Sequence, residues 1–225
     1  SRNQQVQFVA SASHELRSPL SVMLASVTAL KVADEEDRSG FYEAIESEGG
    51  RMKRLIDDML TLANADNQSW SVHFEDTQLD TLLLDVYEKY TPLVRSRGMS
   101  LQISLPDEPL PQCYCDRQRI EQVITILLNN AMSYSPVDTF ITLGICQADG
   151  KLKLWVADKG YGVLDELKQK IFLRFFQVDQ ARKDREHFGL GLCIASEIIR
   201  LHQGKIWVED NPGGGSVFYF TLAPA

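Results

Sequence analysis

The first 67 residues carry apolar side chains at alternating steps of three and four, the spacing typical of packed helices. With Ser13 counted among them, the apolar positions of the first run are Val6, Val9, Leu16, Leu20, Met23, Val27 and Leu30. Those of the second run are Phe41, Ile45, Met52, Leu55, Met59 and Leu62, with Glu48 as the one polar member. The polar, acidic segment 33–40 between the runs predicts a turn. Residues 1–67 are therefore predicted to form an antiparallel helical hairpin.

A single pair of such helices leaves half of its apolar surface in water. We therefore expect two copies of the hairpin to associate as a dimeric four-helix bundle, in which each hairpin covers the other. This expectation rests on the two apolar runs alone, and a monomeric mass at micromolar concentration would contradict it.

From residue 71 to residue 225 the pattern changes to short strands alternating with helices. Strands are predicted at 71–75, 100–105, 139–148, 151–157, 205–209 and 216–222, and helices at 79–94, 120–132 and 190–202. Asp149-Gly150 lies between two of these strands and is a strong signal for a tight hairpin. This order predicts an α/β sandwich, with a mixed, largely antiparallel sheet covered by helices on one face. The chain thus divides into a domain at 1–67 and a second at 71–225.

Composition narrows the function classes. The 225 residues are 44% hydrophobic and 24% charged, typical of a folded soluble protein, and no stretch approaches the roughly 18 apolar residues of a membrane span. The net charge of −8 argues against nucleic-acid binding, which favours a basic surface. The four cysteines, Cys113, Cys115, Cys146 and Cys193, lack the paired spacing of a zinc site, so we expect reduced thiols.

The first run of helix carries one candidate nucleophile, His14. It follows Ser13 at the edge of the apolar seam, where a side chain can reach solvent from a rigid backbone. The adjacent Glu15 can accept a proton from one imidazole nitrogen and leave the other as a neutral nucleophile. Pro19 removes a backbone donor inside the helix and is expected to kink it. Taken together, residues 13–20 resemble the phosphoacceptor box of bacterial sensor histidine kinases, whose histidine is phosphorylated by ATP.

The second half resembles the nucleotide-binding motifs of the same family, in the family's order. Residues 127–131 resemble the asparagine box, which implies that Asn130 coordinates Mg²⁺ through its amide oxygen and that Tyr134 follows at the nucleotide. The segment 158–162 resembles the first glycine box. There the family implies that Asp158 accepts the adenine amino proton, while Gly160 and Gly162 let the backbone pass close to the base.

Two further motifs complete the resemblance. Residues 171–176 resemble the phenylalanine box, with Phe172 and Arg174 as implied nucleotide contacts, although core aromatics would give the same pattern. The second glycine box is resembled by Gly189, Leu190, Gly191 and Leu192, where helix N-terminal amides face the phosphates in the family. The segment 213–215 fits a last glycine turn, and a plain hairpin loop explains it equally well.

Together these motifs resemble the transmitter core of a two-component sensor histidine kinase. The resemblance implies ATP and Mg²⁺ as cofactors, a homodimer, and phosphoryl transfer from His14 to an aspartate of a response-regulator receiver domain. It also implies that Ser18, four residues after His14, orients water when the regulator is dephosphorylated; a plain helix-surface serine is the alternative. We expect a cytoplasmic fragment of a longer bacterial receptor that meets the membrane only through segments absent here.

Several positions depart from the family pattern. Ser133 and Gln177 stand where the family usually has basic residues, and His187 replaces a glycine. The polar segment between Phe176 and Gly189 is predicted to be a mobile lid, and three of its cations could supply the lost charge: Arg182, Lys183 and Arg185. A solvated loop explains these charges equally well. These departures leave open a scaffold that dimerises and docks a regulator without catalysis. A stand-alone ATPase is disfavoured, because Ile126 stands where hydrolysing relatives place a water-activating glutamate.

Overall fold

Residues 2–66, 72–177 and 188–225 are described by a computed structural model. The chain begins with two long helices, α1 at Arg2–Leu30 and α2 at Glu35–Asp66, which pack against each other as an antiparallel hairpin. The turn between them spans only 31–34, so the predicted turn at 33–40 was too long. Glu35, Glu36 and Asp37 lie in the first turn of α2, where carboxylates stabilise the positive end of a helix.

The apolar seam of α2 is confirmed, because every position predicted for it, Glu48 included, is buried or half-buried. The seam of α1 was predicted correctly at Leu16, Met23 and Leu30, which are half-buried. It was predicted one position off at Ser13, Leu20 and Val27, which are exposed beside a buried residue. Its inner face alternates half-buried large residues with buried small ones, in the order Ala12, Leu16, Pro19, Met23, Ser26 and Leu30. Hydrophobicity alone favours Leu20 and Val27 as inward-facing residues over their neighbours Pro19 and Ser26. Small side chains on the inner face, however, let α2 approach α1 closely. Pro19 lies within an unbroken α1.

Several large apolar side chains of the hairpin face outward instead. The exposed members are Val9, Leu20, Leu24 and Val27 on α1, and Tyr42, Ile56 and Leu60 on α2. Solvent-exposed stripes on both helices are what the sequence predicts for a hairpin that associates with a second copy. Within the part of the chain that the structure describes, no helix is both long and apolar enough to cross a membrane.

The second half is an α/β structure. Its strands are β1 (Glu75–Thr77), β2 (Ser100–Ser104), β3 (Cys113–Cys115), β4 (Phe140–Ala148), β5 (Lys151–Ala157), β6 (Lys205–Asp210) and β7 (Ser216–Leu222). Its helices are α3 (Leu79–Ser96), α4 (Arg117–Tyr134) and α5 (Gly191–Leu201), with 3₁₀ turns at Asp165–Leu167 and Lys170–Phe172. A five-stranded sheet has the order β2-β4-β5-β7-β6, parallel only between β2 and β4. The predicted mixed, largely antiparallel sheet is confirmed.

Two short strands were not predicted correctly. The strand expected at 71–75 is displaced to β1, where it pairs antiparallel with β3 in a separate two-stranded sheet. Residue 71 lies outside the described residues, and 72–74 have no regular structure. β3 was missed because three residues with alternating burial are too few for a periodic signal. The Asp149-Gly150 turn is confirmed, with φ of 51° and 71° at its two residues.

Helices α3, α4 and α5 cover one face of the five-stranded sheet and enclose the core with it. Fully buried members come from all layers, among them Leu82, Ile124, Leu143, Ile194 and Phe220. Leu55 and Leu62 of α2 belong to the same apolar cluster. The helical hairpin and the α/β half therefore share a continuous core in this arrangement.

Asp58 on α2 gives the fold a pH dependence. Its pKa is raised from 3.8 to about 6, chiefly because burial penalises the carboxylate; repulsion from Asp57 adds to this and Arg54 opposes it. A carboxyl with a raised folded-state pKa lowers stability as pH rises from about 4 to about 6.

We expect Asp58→Asn to raise the melting temperature at pH 7.5 and to raise it less at pH 5. The exposed Asp107→Asn is the control; an equal shift at both pH values for Asp58→Asn would contradict this.

Candidate functional site

His14 projects into solvent from the middle of α1. Its side chain is 74% exposed, and its Nδ1 lies 3.7 Å from Oε1 of Glu15. That separation is too long for a hydrogen bond but keeps the carboxylate beside one ring nitrogen. Nε2, on the opposite side of the ring, is the nitrogen that remains available as a nucleophile. The predicted exposure of this histidine at the edge of the seam is confirmed.

The serines around His14 differ in how their hydroxyls are used. Ser13 Oγ donates to Val9 O at 2.8 Å, and Ser21 Oγ donates to Arg17 O at 2.8 Å. Ser18 lies one turn after His14, is exposed, and has no such bond to a described residue. Its hydroxyl is thus available to a ligand or to water on the same side of α1.

Asp158, directly after β5, is the most deeply buried acidic residue among the described residues of the α/β half. Its side chain is 5% exposed, and its Oδ1 accepts from Gly160 N at 2.8 Å and from Ser216 N at 3.1 Å. Burial raises the pKa of this carboxyl, and the two backbone bonds and Lys159 oppose the rise. Both hydrogen bonds fall on one oxygen, so the other can accept from a ligand that carries an amino group.

Glycines allow the backbone to crowd around this carboxylate. A Cβ at Gly215 would lie 2.1 Å from Asp158 O, and φ there is +94°. A Cβ at Gly160 would lie 2.7 Å from Tyr134 O, which ends α4. Asn211 Nδ2 donates to Asp158 O at 2.6 Å and ties the 211–215 turn to the same residue. Sequence reasoning missed Asn211 and Ser216 as supports for Asp158; the glycine-rich turn was their signal.

One face of α4 joins the predicted nucleotide motifs. Ile126, Asn130 and Tyr134 follow each other at four-residue spacing and so lie along one side of the helix. Ile126 Cγ2 lies 3.2 Å from the position of a Cβ at Gly191, the first residue of α5. Tyr134 O approaches Gly160 at the other end. Asn130 is therefore placed between the two glycine segments and is half-buried. Its side-chain amide makes no hydrogen bond to a described residue.

The phenylalanine segment is joined to the second glycine segment by backbone. Phe175 N donates to Gly189 O at 3.0 Å, and a Cβ at Gly189, where φ is +72°, would lie 2.7 Å from Phe176 O. Leu190 is buried and Leu192 half-buried at the start of α5. Phe172 packs edge-on against Phe218, 6.5 Å between ring centroids, as the core alternative predicts.

One of the predicted site residues, Arg174, lies apart from this cluster. Arg174 is exposed, and its guanidinium carbon lies 5.5 Å from the ring centroid of Phe8 on α1. Gly162, by contrast, is exposed at the end of the first glycine segment with φ of +76°, and a Cβ there would lie 3.6 Å from Gly215 O. The predicted lid, with Arg182, Lys183, Arg185 and the departure His187, lies outside the described residues.

The donor set suits a magnesium ion that is carried by a nucleotide. Within the described ranges, no group of three or more histidine, cysteine or acidic residues could hold a metal on its own. An amide oxygen at Asn130 is a hard ligand of the kind Mg²⁺ takes when phosphates supply the remaining oxygens. None of the four cysteines, all of which lie among the described residues, forms a disulfide.

Gly215 and Gly214 provide a matched pair of variants. Gly215→Ala would drive a methyl group into the backbone of Asp158, whereas Gly214, with φ of +106°, has open space around it. Both variants carry the positive-φ cost of roughly 1–2 kcal/mol. We expect Gly215→Ala alone to add a larger loss of stability and a loss of affinity for ATP, the ligand that the motifs imply. Thermal unfolding and calorimetric titration measure the two effects; equal behaviour of both variants would contradict this role of Gly215.

Family models match two parts of the chain. Residues 4–68 match the His Kinase A (phospho-acceptor) domain, which covers the hairpin. Residues 115–225 match the model described as histidine kinase-, DNA gyrase B- and HSP90-like ATPase, from the end of β3 onward. The two matches include His14 in the first and the glycine and asparagine segments in the second.

Individual proteins resemble the chain over nearly its whole length. The adaptive-response sensory kinase SasA of Crocosphaera subtropica (strain ATCC 51142 / BH68) is 33% identical over 225 residues, or 96% of this chain and 58% of the relative. The chain thus spans little more than half of that protein. The solved catalytic domain of histidine kinase ThkA is 30% identical, with a TM-score of 0.59 over 68% of this chain and 96% of that domain.

A second ThkA structure, in complex with response regulator protein TrrA, matches the complete chain. The TM-score is 0.79 at 25% identity, over 100% of this chain and 64% of that one. Hairpin and α/β half are therefore both found in the same order in a solved kinase. The chain belongs to the two-component sensor histidine kinases and carries the transmitter core of that family, a phospho-acceptor domain followed by an ATPase domain.

Proposed function

We propose that this chain transfers the γ-phosphoryl group of ATP to His14. One observation carries the proposal. The same chain has an exposed histidine on α1 and, in its α/β half, the residues expected to bind a nucleotide gathered around Asp158 and Asn130. The proposal divides the chain into a phospho-acceptor domain at 1–67 and an ATP-binding domain at 71–225. Asp158 would hold the adenine amino group, and Asn130 would hold Mg²⁺, which neutralises charge on the phosphates when bound.

The geometry around His14 supports different roles for its two ring nitrogens in this proposal. Nε2 attacks the γ-phosphorus, an N–P bond forms, and the bond to the bridging β–γ oxygen breaks as ADP leaves. Glu15, beside Nδ1, accepts the proton released from that nitrogen. Most of the rate gain comes from alignment and charge neutralisation, since phosphoryl transfer demands little covalent chemistry of the protein. Backbone amides at the start of α5, from Gly189 to Leu192, are the candidates for holding phosphate oxygens.

The phosphoryl group would then pass to an aspartate of a response-regulator receiver domain docked on the hairpin. The structure of the similar kinase ThkA in complex with response regulator protein TrrA supports this class of partner for the present chain. Ser18 lies one turn after His14, and its hydroxyl makes no hydrogen bond to a described residue, which suits it to orient water for dephosphorylation of the regulator. Anchoring of the complete protein in a bacterial membrane remains part of the proposal.

Labelling with γ-³²P ATP and Mg²⁺ tests the kinase proposal. We expect base-stable, acid-labile label on the wild type and none on His14→Gln, since glutamine offers no nucleophilic nitrogen. Asn130→Asp should lose at least roughly 100-fold in rate, because positioning of the metal-bound phosphates is lost. His73→Gln, at an exposed histidine, and Asn129→Asp, one position before Asn130, are matched controls that should label normally. Absence of label on a wild type that binds ATP would overturn the kinase proposal in favour of a scaffold.

The homodimer is proposed from the outward apolar stripes of the hairpin. Val27 is 46% exposed within the stripe, whereas Val32 is 87% exposed in the turn. The wild type should have twice the chain mass of 25.4 kDa. We expect Val27→Glu to lower the measured mass toward that of a single chain, because the dimer interface would bury an unpaired carboxylate. Val32→Glu, the same substitution off the stripe, should remain dimeric. Light scattering at micromolar protein measures both, and a monomeric wild type would refute the dimer.

A further inference from the structure

Glu48 and Arg51 form a buried polar pair on α2 that the proposed chemistry does not use. Their side chains are 10% and 12% exposed, and Arg51 Nη1 lies 3.5 Å from Glu48 Oε2. Glu48 Oε2 and Arg51 Nε have no hydrogen-bond partner among the described residues. A buried ion pair with unsatisfied atoms stabilises a hairpin less than apolar side chains of the same size would. Stability of the hairpin therefore does not account for this pair.

Arg51 also contacts the α/β half. Its guanidinium carbon lies 4.6 Å from the ring centroid of Phe188, which is 5% exposed. Phe188 directly precedes Gly189, whose backbone is fixed against Phe175 and Phe176. A desolvated cation over an aromatic face is attracted to it. The contact thus connects α2 to the segment that begins the proposed phosphate site.

Apolar contacts accompany this connection. Leu55 lies one turn after Arg51 and is fully buried in the core that it shares with the α/β half. On α1, the ring of Phe8 lies 5.5 Å from the ring of Phe175 and is also approached by Arg174. Both helices of the hairpin therefore hold the α/β half in one docked arrangement.

The docked arrangement leaves His14 open to solvent, with 74% of its side chain exposed. Phosphoryl transfer instead requires a γ-phosphorus within roughly 3–3.5 Å of the attacking nitrogen, in a site closed around both. The two arrangements differ, so contacts that exist only in the docked one oppose transfer by favouring that state.

We propose that Arg51, oriented by Glu48, is a positioning residue that holds Phe188 and the second glycine segment in a resting, docked state. The inference rests on the proposed kinase function for its consequence, since release of the contact would let the ATP-binding domain reach His14. Phe188 is its partner in the α/β half, and the carboxylate of Glu48, 3.5 Å away, orients the guanidinium within an apolar seam.

The test compares Glu48→Gln/Arg51→Met with Glu48→Gln alone, so that no unpaired carboxylate is left in the seam. We expect the double variant to raise the rate of His14 phosphorylation at saturating ATP by roughly 3- to 30-fold, the range one partly desolvated cation–π contact supports, with KM for ATP unchanged. Arg51→Lys, which keeps a cation, should stay near the wild-type rate. Phe188→Leu should raise the rate as the double variant does, and combining it with that variant should add little more.

A second readout separates this inference from the kinase proposal. Amide hydrogen exchange in the intact chain should become faster at 188–194 and 51–62 in the double variant and remain unchanged in Arg51→Lys. If the wild type takes no label, the kinase proposal fails while exchange still decides whether Arg51 docks the segment. An unchanged or lower phosphorylation rate in the double variant, together with unchanged exchange, would overturn the inference. A lower phosphorylation rate that accompanies a lower melting temperature would also overturn it.

Discussion

The buried carboxylate of Asp158 is the constraint on which the ATP-binding half depends. A charged group at 5% exposure is costly unless hydrogen bonds compensate it, and here backbone amides from two separate loops supply them. Those amides can reach Oδ1 only because Gly160 and Gly215 carry no side chain to collide with neighbouring backbone. One polar atom thereby fixes the end of β5, the loop after it and the turn before β7.

The same constraint organises α4. Its last residue, Tyr134, presents a carbonyl to Gly160, and an earlier turn abuts the first residue of α5 through Ile126. Asn130 lies between these two contacts, so its amide is positioned by packing at both ends of one helix face. The hairpin positions its functional residue differently, without packing around the side chain. There the candidate nucleophile, His14, is held by helix backbone alone and is left uncovered.

Much of this architecture was predictable, and the failures have identifiable physical causes. The α2 seam, the Asp149-Gly150 hairpin and the bounds of β5 and β7 follow from periodicity and turn chemistry, which are local. The α1 seam was misplaced at three positions because hydrophobicity does not count the benefit of small residues such as Ala12 and Ser26 at a close helix contact. The supports of Asp158 come from residues more than 50 positions away, and no local pattern reveals such a contact.

Glu48 is the one acidic residue in the apolar seam of α2, and this exception indicates a contact outside the hairpin. A heptad seam with a single acidic member is less stable than an apolar one, so the exception calls for a partner that the hairpin alone does not contain. The structure supplies Arg51 three residues later and, beyond it, the ring of Phe188 in the other half of the chain. Neither residue is notable in sequence, because an arginine on a helix and a phenylalanine before a glycine are both common. Only the fold brings the three together, and it does so where one half of the chain would have to move relative to the other for phosphoryl transfer.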